Sequence, residues 1–267
     1  MSSDQKFFYS GKEGEITERA AAVIIAEAWQ AVADHGMFSL VLAGGNSPRL
    51  LHKKLAQGVS SEIFEHYGLA VPCNNSEEKH ALHVLPPNTR LFQGDERCVS
   101  PNHPDSNYRM IRESLLQHSG IADDHLFRMA AEEGDVDRSA RSYEAAIRTF
   151  FSTEGSLVPQ GYPIFDLILL GLGDDGHTAS LFTDNREALQ EQKRWVVAVN
   201  APHGKPPGMR LTLTLPVINH ARNVLFFITG REKCELAEKI FLERERGVPA
   251  SLVKPVNGRL FWFTIKP

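Results

Sequence analysis

The stretch 166–177, DLILLGLGDDGH, carries the reading of the fold. Its first five residues, Asp166 to Leu170, form a largely apolar run of strand length. The run ends in the polar, glycine-rich turn Gly171-Leu172-Gly173-Asp174-Asp175-Gly176-His177. A short, nearly continuous apolar strand suits a sheet covered on both faces. The same pairing occurs earlier, where 38–42 is mainly apolar and ends in Ala43-Gly44-Gly45-Asn46-Ser47-Pro48. Ser47 suits a helix N-cap and Pro48 the first helical turn, so a helix is expected to begin there. It occurs again where 90–93 opens into Gly94-Asp95-Glu96-Arg97, with Ser106 as the expected cap of a helix running through Leu116.

Helical faces lie between these strands. Ala21, Ile24, Ile25, Ala28 and Val32 share one face, and Gly36 offers the stop. Ala140, Tyr143, Ile147 and Phe150 mark another face, and a further helix is expected between Glu232 and Arg244. Later strands are expected at 195–199, 211–215, 224–228 and 261–265. Strands alternating with helices imply an α/β fold with a mostly parallel sheet. There is no internal repeat and no break in composition, so 1–267 reads as one domain with a surface excursion at about 68–89. In open sheets of this kind, sites form outside the carboxyl ends of the strands.

Composition narrows the function classes. A chain of 267 residues with 42% hydrophobic content can bury a sizeable core. Twenty-nine basic against thirty-three acidic residues give a charge of −4, without the basic excess that nucleic-acid binding needs. No apolar run approaches the ~20 residues that span a bilayer. The N-terminus lacks the basic and apolar regions of a secretory signal. Cys73, Cys98 and Cys234 are odd in number, far apart and without a Cys-x-x-Cys pair, which argues against a disulfide framework or zinc ribbon. A reducing cytoplasm fits this usage.

The loops carry the candidate chemistry. Gly44-Gly45-Asn46-Ser47 before a helix start suits a phosphate monoester, and equally suits a plain strand-to-helix turn. Residues 171–176 match G-x-G-x-x-G, but Asp174 and Asp175 would stand where a dinucleotide pyrophosphate should sit. Asp175 two residues before His177 can set the tautomer of a basic histidine, against the reading of a structural histidine in a tight turn. Gly94-Asp95-Glu96-Arg97 is either a site loop or a solvated turn. Cys98 with His103 lacks an oxyanion motif, and His80-Ala81-Leu82-His83 reads as loop rather than metal pair. Lys205-Pro206-Pro207-Gly208-Met209-Arg210 presents two cations on a stiff loop suited to an anion, and Lys233 follows another strand end.

Taken together, five segments in order resemble the 6-phosphogluconolactonase family: AGGNSP (43–48), GDERCVSPNHPDSN (94–107), FDLILLGLGDDGHTASLF (165–182), KPPGMRLTLTLP (205–216) and ITGREK (228–233). The resemblance implies the Rossmann-like three-layer α/β/α sandwich shared with glucosamine-6-phosphate deaminases and ribose-5-phosphate isomerases. It implies hydrolysis of 6-phospho-D-glucono-1,5-lactone in the cytoplasm, without metal or organic cofactor. By the same resemblance His177 is the general base and Arg97 belongs to the site, while Lys205, Arg210 and 44–47 surround the phosphorylated substrate. The chain departs from the family pattern at Ala43, where relatives often carry serine, and in lacking Pro-Gly after Phe182.

A mechanism follows as an expectation. His177 takes a proton from water, Asp175 orients or polarises His177, Arg97 or a nearby backbone N–H stabilises the oxyanion, and Asp95 with Glu96 holds Arg97. The expected partner is a small sugar-phosphate lactone, with no nucleic acid and no membrane; the oligomeric state is left open, a monomer being plausible. The rivals are an amino-sugar-phosphate deaminase or isomerase on the same fold, a non-catalytic sugar-phosphate sensor and a nucleotide-dependent dehydrogenase.

Overall fold

Burial along the strands explains the layering. In the 38–42 strand Val41 packs with Phe92, Ile168, Leu170, Phe226 and Trp262 on one face of the sheet. Leu40 and Leu42 pack with Leu91, Leu167, Leu169, Phe227 and Phe263 on the other. Alternate residues therefore feed two separate cores, as period-2 strands buried on both faces must.

The structure is a computed structural model that describes residues 5–72, 81–153 and 161–266. Strand β1 (Gln5–Gly11) leads into α1 (Glu13–His35), and β2 (Phe38–Leu42) into α2 (Asn46–Gln57). β3 (Val59–Ser60), α3 (Ser61–His66) and β4 (Leu82–His83) follow. β5 (Thr89–Gln93) runs into β6 (Asp95–Arg97), α4 (Asn107–Ile111), a π turn at Arg112–Leu116 and α5 (Gln117–Ser119). Next come β7 (Leu126–Phe127), α6 (Val136–Thr153), β8 (Leu167–Leu170) and α7 (Arg186–Gln190). β9 (Val196–Ala201), β10 (Gly208–Leu213), α8 (Leu215–Asn219), β11 (Asn223–Thr229), α9 (Arg231–Phe241) and β12 (Arg259–Ile265) close the chain.

Seven strands form one sheet in the order β1-β12-β11-β8-β2-β5-β7, and every neighbouring pair is parallel. Helices α1 and α2 bury Ile24 and Leu51 on one face, and α6 and α9 bury Ile147 and Ala237 on the other. From β2 the chain moves outward to β5 and β7, then returns to β8 on the opposite side of β2. The carboxyl ends of β2 and β8 therefore bound the crevice where the winding reverses. At the opposite end, buried Asp166 ties the same two strands together. Its carboxylate accepts from the Ser39 N–H (2.9 Å) and hydroxyl (2.7 Å), and faces His35 Nε2 at 3.0 Å and Arg222 Nε at 3.2 Å.

Several expectations shift. The strands expected at 195–199 and 211–215 exist as β9 and β10, but they lie outside the parallel sheet. They pair antiparallel with each other, and β10 pairs antiparallel with β6. Their connection is too short for a parallel crossover. Ser47 is not the cap of α2: the cap is Gly45, two residues earlier, and the Ser47 hydroxyl bonds Thr229 Oγ1 at the end of β11 (2.7 Å). Ser106 does cap α4, accepting from the Arg109 N–H at 3.2 Å, but the α-helical turn gives way to the π turn at Arg112. Residues 73–80 of the expected excursion, His80 among them, lie outside the described residues; in its described part, His83 and Leu85 are buried rather than superficial.

His52, on the inner face of α2, is fully buried with Nδ1 at 3.3 Å from Ser114 Oγ. Burial, with Arg49 adding to it, lowers its pKa to about 3. An unfolded histidine titrates near 6.5, so between these values the unfolded chain binds one more proton and stability falls as pH falls. The expected contribution is about 1.4 kcal/mol per pH unit below 6.5 and nothing further above it. Urea unfolding at pH 7 and pH 5 should thus lose about 2 kcal/mol less in His52→Gln than in the unmutated chain.

Candidate active site

The loop after β2 is shaped by what packs on it. A Cβ on Gly44 would lie 1.9 Å from Asn107 Oδ1, so the missing side chain makes room for Asn107 rather than for a ligand. Gly45 has φ +97°, a conformation that favours glycine, and it turns the chain into α2. The Asn46 and Ser47 N–H groups open the helix, where they have no acceptor within it and the positive end of the dipole adds to them. They remain the part of this loop suited to an anion.

The loop after β8 closes on itself: Gly173 N–H donates to the His177 carbonyl (2.9 Å), and Gly176 N–H to the Gly173 carbonyl (3.1 Å). No helix follows until Arg186, so this G-x-G-x-x-G lacks the helix N-terminus on which a dinucleotide fingerprint depends. The turn instead brings Asp175 to His177. Asp175 Oδ1 lies 2.5 Å from the ring Nδ1 and accepts the His177 backbone N–H at 3.1 Å. That hydrogen bond is the main cause lowering the Asp175 carboxyl to about 2. An ionised carboxylate only accepts, so Nδ1 carries a hydrogen, and in the neutral ring Nε2 then presents the lone pair. A Cβ on Gly173 would fall 2.1 Å from Nδ1, and the Phe182 ring, 4.4 Å away between centroids, supports the imidazole.

In the loop after β5 the expected arrangement is corrected. Asp95 and Glu96 do not hold the Arg97 guanidinium, whose Nη1 donates to the Asp105 carbonyl at 2.5 Å. Glu96 is 2% exposed and its carboxylate accepts five hydrogen bonds. The donors are Gln93 Nε2, Ser106 Oγ and the backbone N–H groups of Arg97, Asn107 and Tyr108, at 2.7–3.1 Å. Asp95 is also buried, accepting from Ser180 Oγ (2.6 Å) and Asn107 Nδ2 (3.1 Å). Both residues follow a strand whose next residues must turn back across the sheet end, and they serve that turn. Burial raises the Cys98 thiol to about 11, which removes it as a nucleophile.

The cations divide by burial. Arg210 is 3% exposed, with Nη2 donating to the Pro206 carbonyl (2.8 Å) and its guanidinium 5.6 Å from the Phe182 ring centroid. It forms a wall beneath the loop joining β9 and β10. Lys205 at that loop's tip and Lys233 in the first turn of α9 both face Asp174.

A single cavity of about 460 Å³ at the switch point is lined by every expected site residue: Gly44, Gly45, Asn46, Ser47, Asp95, Arg97, Asp175, His177, Lys205, Arg210 and Lys233. Asn107, Asp174 and His203 also line it. The sequence places Asn107 in the 94–107 segment without a role of its own and offers Asp174 only as an obstacle to pyrophosphate. His203 had no signal in the sequence. Among the described residues no three His, Cys, Asp or Glu side chains are grouped to hold a metal ion. No helix among them is long and apolar enough to cross a membrane.

Comparison with known proteins gives a consistent result. Residues 11–262 match the family model for glucosamine-6-phosphate isomerases/6-phosphogluconolactonase. A 6-phosphogluconolactonase of Synechocystis is 36% identical over 249 residues, which are 92% of this chain and 90% of that protein. The solved 6-phosphogluconolactonase of Trypanosoma cruzi superposes with a TM-score of 0.75 at 28% identity, covering 99% of this chain and 96% of that one. A monomeric glucosamine-6-phosphate deaminase shares the fold, with a TM-score of 0.68 and 18% identity over 97% of each chain.

Removing the Glu96 carboxylate would leave three backbone N–H groups without their acceptor. Glu96→Ala should lower stability to urea by about 3 kcal/mol or more. A loss below about 1 kcal/mol would show that the loop finds other acceptors.

Proposed function

The chain belongs to the glucosamine-6-phosphate isomerase/6-phosphogluconolactonase family, and on that premise we propose that it is a cytoplasmic 6-phosphogluconolactonase. It hydrolyses 6-phospho-D-glucono-1,5-lactone to 6-phospho-D-gluconate, a step of the oxidative pentose phosphate pathway. The observation that carries the mechanism is the Asp175–His177 pair, with Nε2 left as the base inside a cavity that also contains a helix N-terminus and two lysines. An activated cyclic ester needs a base, an oxyanion partner and a way to hold its phosphate, and each has a place here.

His177 Nε2 takes a proton from water as the water oxygen bonds to the lactone carbonyl carbon. Asp175 holds the Nδ1–H and stabilises the imidazolium that results. Arg97, fixed through the Asp105 carbonyl, faces the negative charge that develops on the carbonyl oxygen. As the intermediate collapses, the bond from that carbon to the ring oxygen breaks and His177 returns its proton to the ring oxygen. The new carboxylic acid then ionises to solvent. Asn46 and Ser47 N–H groups with Lys205 and Lys233 receive the phosphate, and binding energy from that remote group aligns the reacting carbon. Asp95 and Arg210 act as positioning residues, holding Ser180 and Asn107 in one case and Pro206 in the other.

The deaminase of the same fold is the second reading, because the fold itself is common to both activities. Release of ammonia from glucosamine 6-phosphate separates the two, and a sensor would bind sugar phosphate without turnover. With lactone generated in situ and spontaneous opening subtracted, His177→Ala is expected to lower kcat by roughly 10²–10⁴-fold while the far-ultraviolet circular dichroism stays unchanged. Undiminished turnover in that folded variant would remove His177 as the base. Gluconolactone without the phosphate should show much lower kcat/KM than the phosphorylated substrate, and equal values would remove the phosphate subsite.

A further inference from the structure

The two lysines assigned to the phosphate already have an anion between them. Asp174 Oδ2 accepts from Lys205 Nζ at 3.3 Å, and Asp174 Oδ1 lies 3.6 Å from Lys233 Nζ. One carboxylate thus spans ammonium groups from two distant parts of the chain, the tip of the β9–β10 loop and the first turn of α9. Lys233, followed by Lys205, holds the Asp174 carboxyl below the usual range, so it is charged whenever the enzyme works. Its neighbour Asp175 turns the other way, to His177.

This arrangement is exchangeable. The Asp174 side chain is 57% exposed and that of Lys205 is 88% exposed, and ion pairs so open to water are weak and screened. A phosphate dianion entering the cavity carries more charge than the carboxylate and can displace it from the lysines. Once displaced, Asp174 is still in the cavity wall and repels the dianion that replaced it. The reaction also adds a carboxylate to the bound molecule, so the product is more anionic than the substrate. A fixed negative charge in the wall therefore acts more strongly against product than against lactone.

We infer that Asp174 is a built-in competitor for the phosphate subsite: it occupies Lys205 and Lys233 when the subsite is empty and loosens the hold on the phosphorylated product. The inference rests on the reading of Lys205 and Lys233 as the phosphate subsite. It assigns Asp174 no contact with the reacting carbon.

The test is calorimetric titration of the unmutated enzyme, Asp174→Asn and Asp174→Glu with 6-phosphogluconate and with inorganic phosphate, at one fixed ionic strength. Asp174→Asn should bind both about five- to tenfold more tightly, with kcat and KM for the lactone falling together as release slows. Asp174→Glu, which keeps the charge, should bind as the unmutated enzyme does. Unchanged or weaker binding by Asp174→Asn overturns the inference, as does tightening in Asp174→Glu equal to that in Asp174→Asn. If the unmutated enzyme takes up neither anion, the phosphate subsite itself is wrong. If it takes up both and the Asn variant matches it, only the role of Asp174 is lost.

Discussion

A buried carboxylate held by neutral hydrogen-bond donors organises this site. Glu96 is held in the interior by five hydrogen bonds, three from consecutive or nearby backbone N–H groups. Burial alone pushes its pKa up, and the donors from Gln93, Arg97, Asn107 and Tyr108 oppose that rise. What the bonds achieve is geometric: they bend 95–108 into a fixed turn and set the start of α4. Asn107 then reaches Asp95 through Nδ2 and packs its Oδ1 against Gly44, while Asp95 reaches Ser180. The loops after β2, β5 and β8 are thereby joined through two buried carboxylates and one amide.

The same arrangement settles an electrostatic difficulty. Four carboxylates, those of Asp95, Glu96, Asp174 and Asp175, surround or underlie a cavity proposed to bind an anion. Each is matched separately: Glu96 by N–H and O–H donors, Asp95 by a hydroxyl and an amide, Asp175 by imidazole and Asp174 by two lysines. Neutral donors add no charge of their own, so matching Asp95 and Glu96 in this way leaves Lys205, Lys233 and Arg97 facing the cavity. Unpaired buried carboxylates would instead have neutralised or repelled the ligand.

Sheet topology decides where all this happens. Because β2 and β8 are neighbours from which the chain winds in opposite directions, their loops part and leave a crevice. Asp166 clamps the amino ends of the same strands through Ser39. The end with the clamp is structural, and the end with the crevice is left open to ligand. The antiparallel sheet β6-β10-β9 forms one wall of the crevice and supplies Arg210 and the loop of Lys205.

Features set by residues close in sequence were legible from the chain itself. The apolar strands, the helix ended by Gly36 and the Ser106 cap depend on contacts within a few positions, which periodicity and spacing encode; the spacing of Asp175 and His177 allows a pairing, and the fold of the turn decides it. The five motif segments in order also carried the family. What the chain did not disclose depends on contacts between distant positions. Gly44 is glycine because of Asn107, Ser47 is tied to Thr229 rather than capping its helix, and Asp174 meets Lys205 and Lys233. The placement of β9 and β10 outside the parallel sheet belongs with these. Side-chain type alone does not say which distant partner will satisfy a buried donor or charge; the sheet order chooses it by deciding which loops meet.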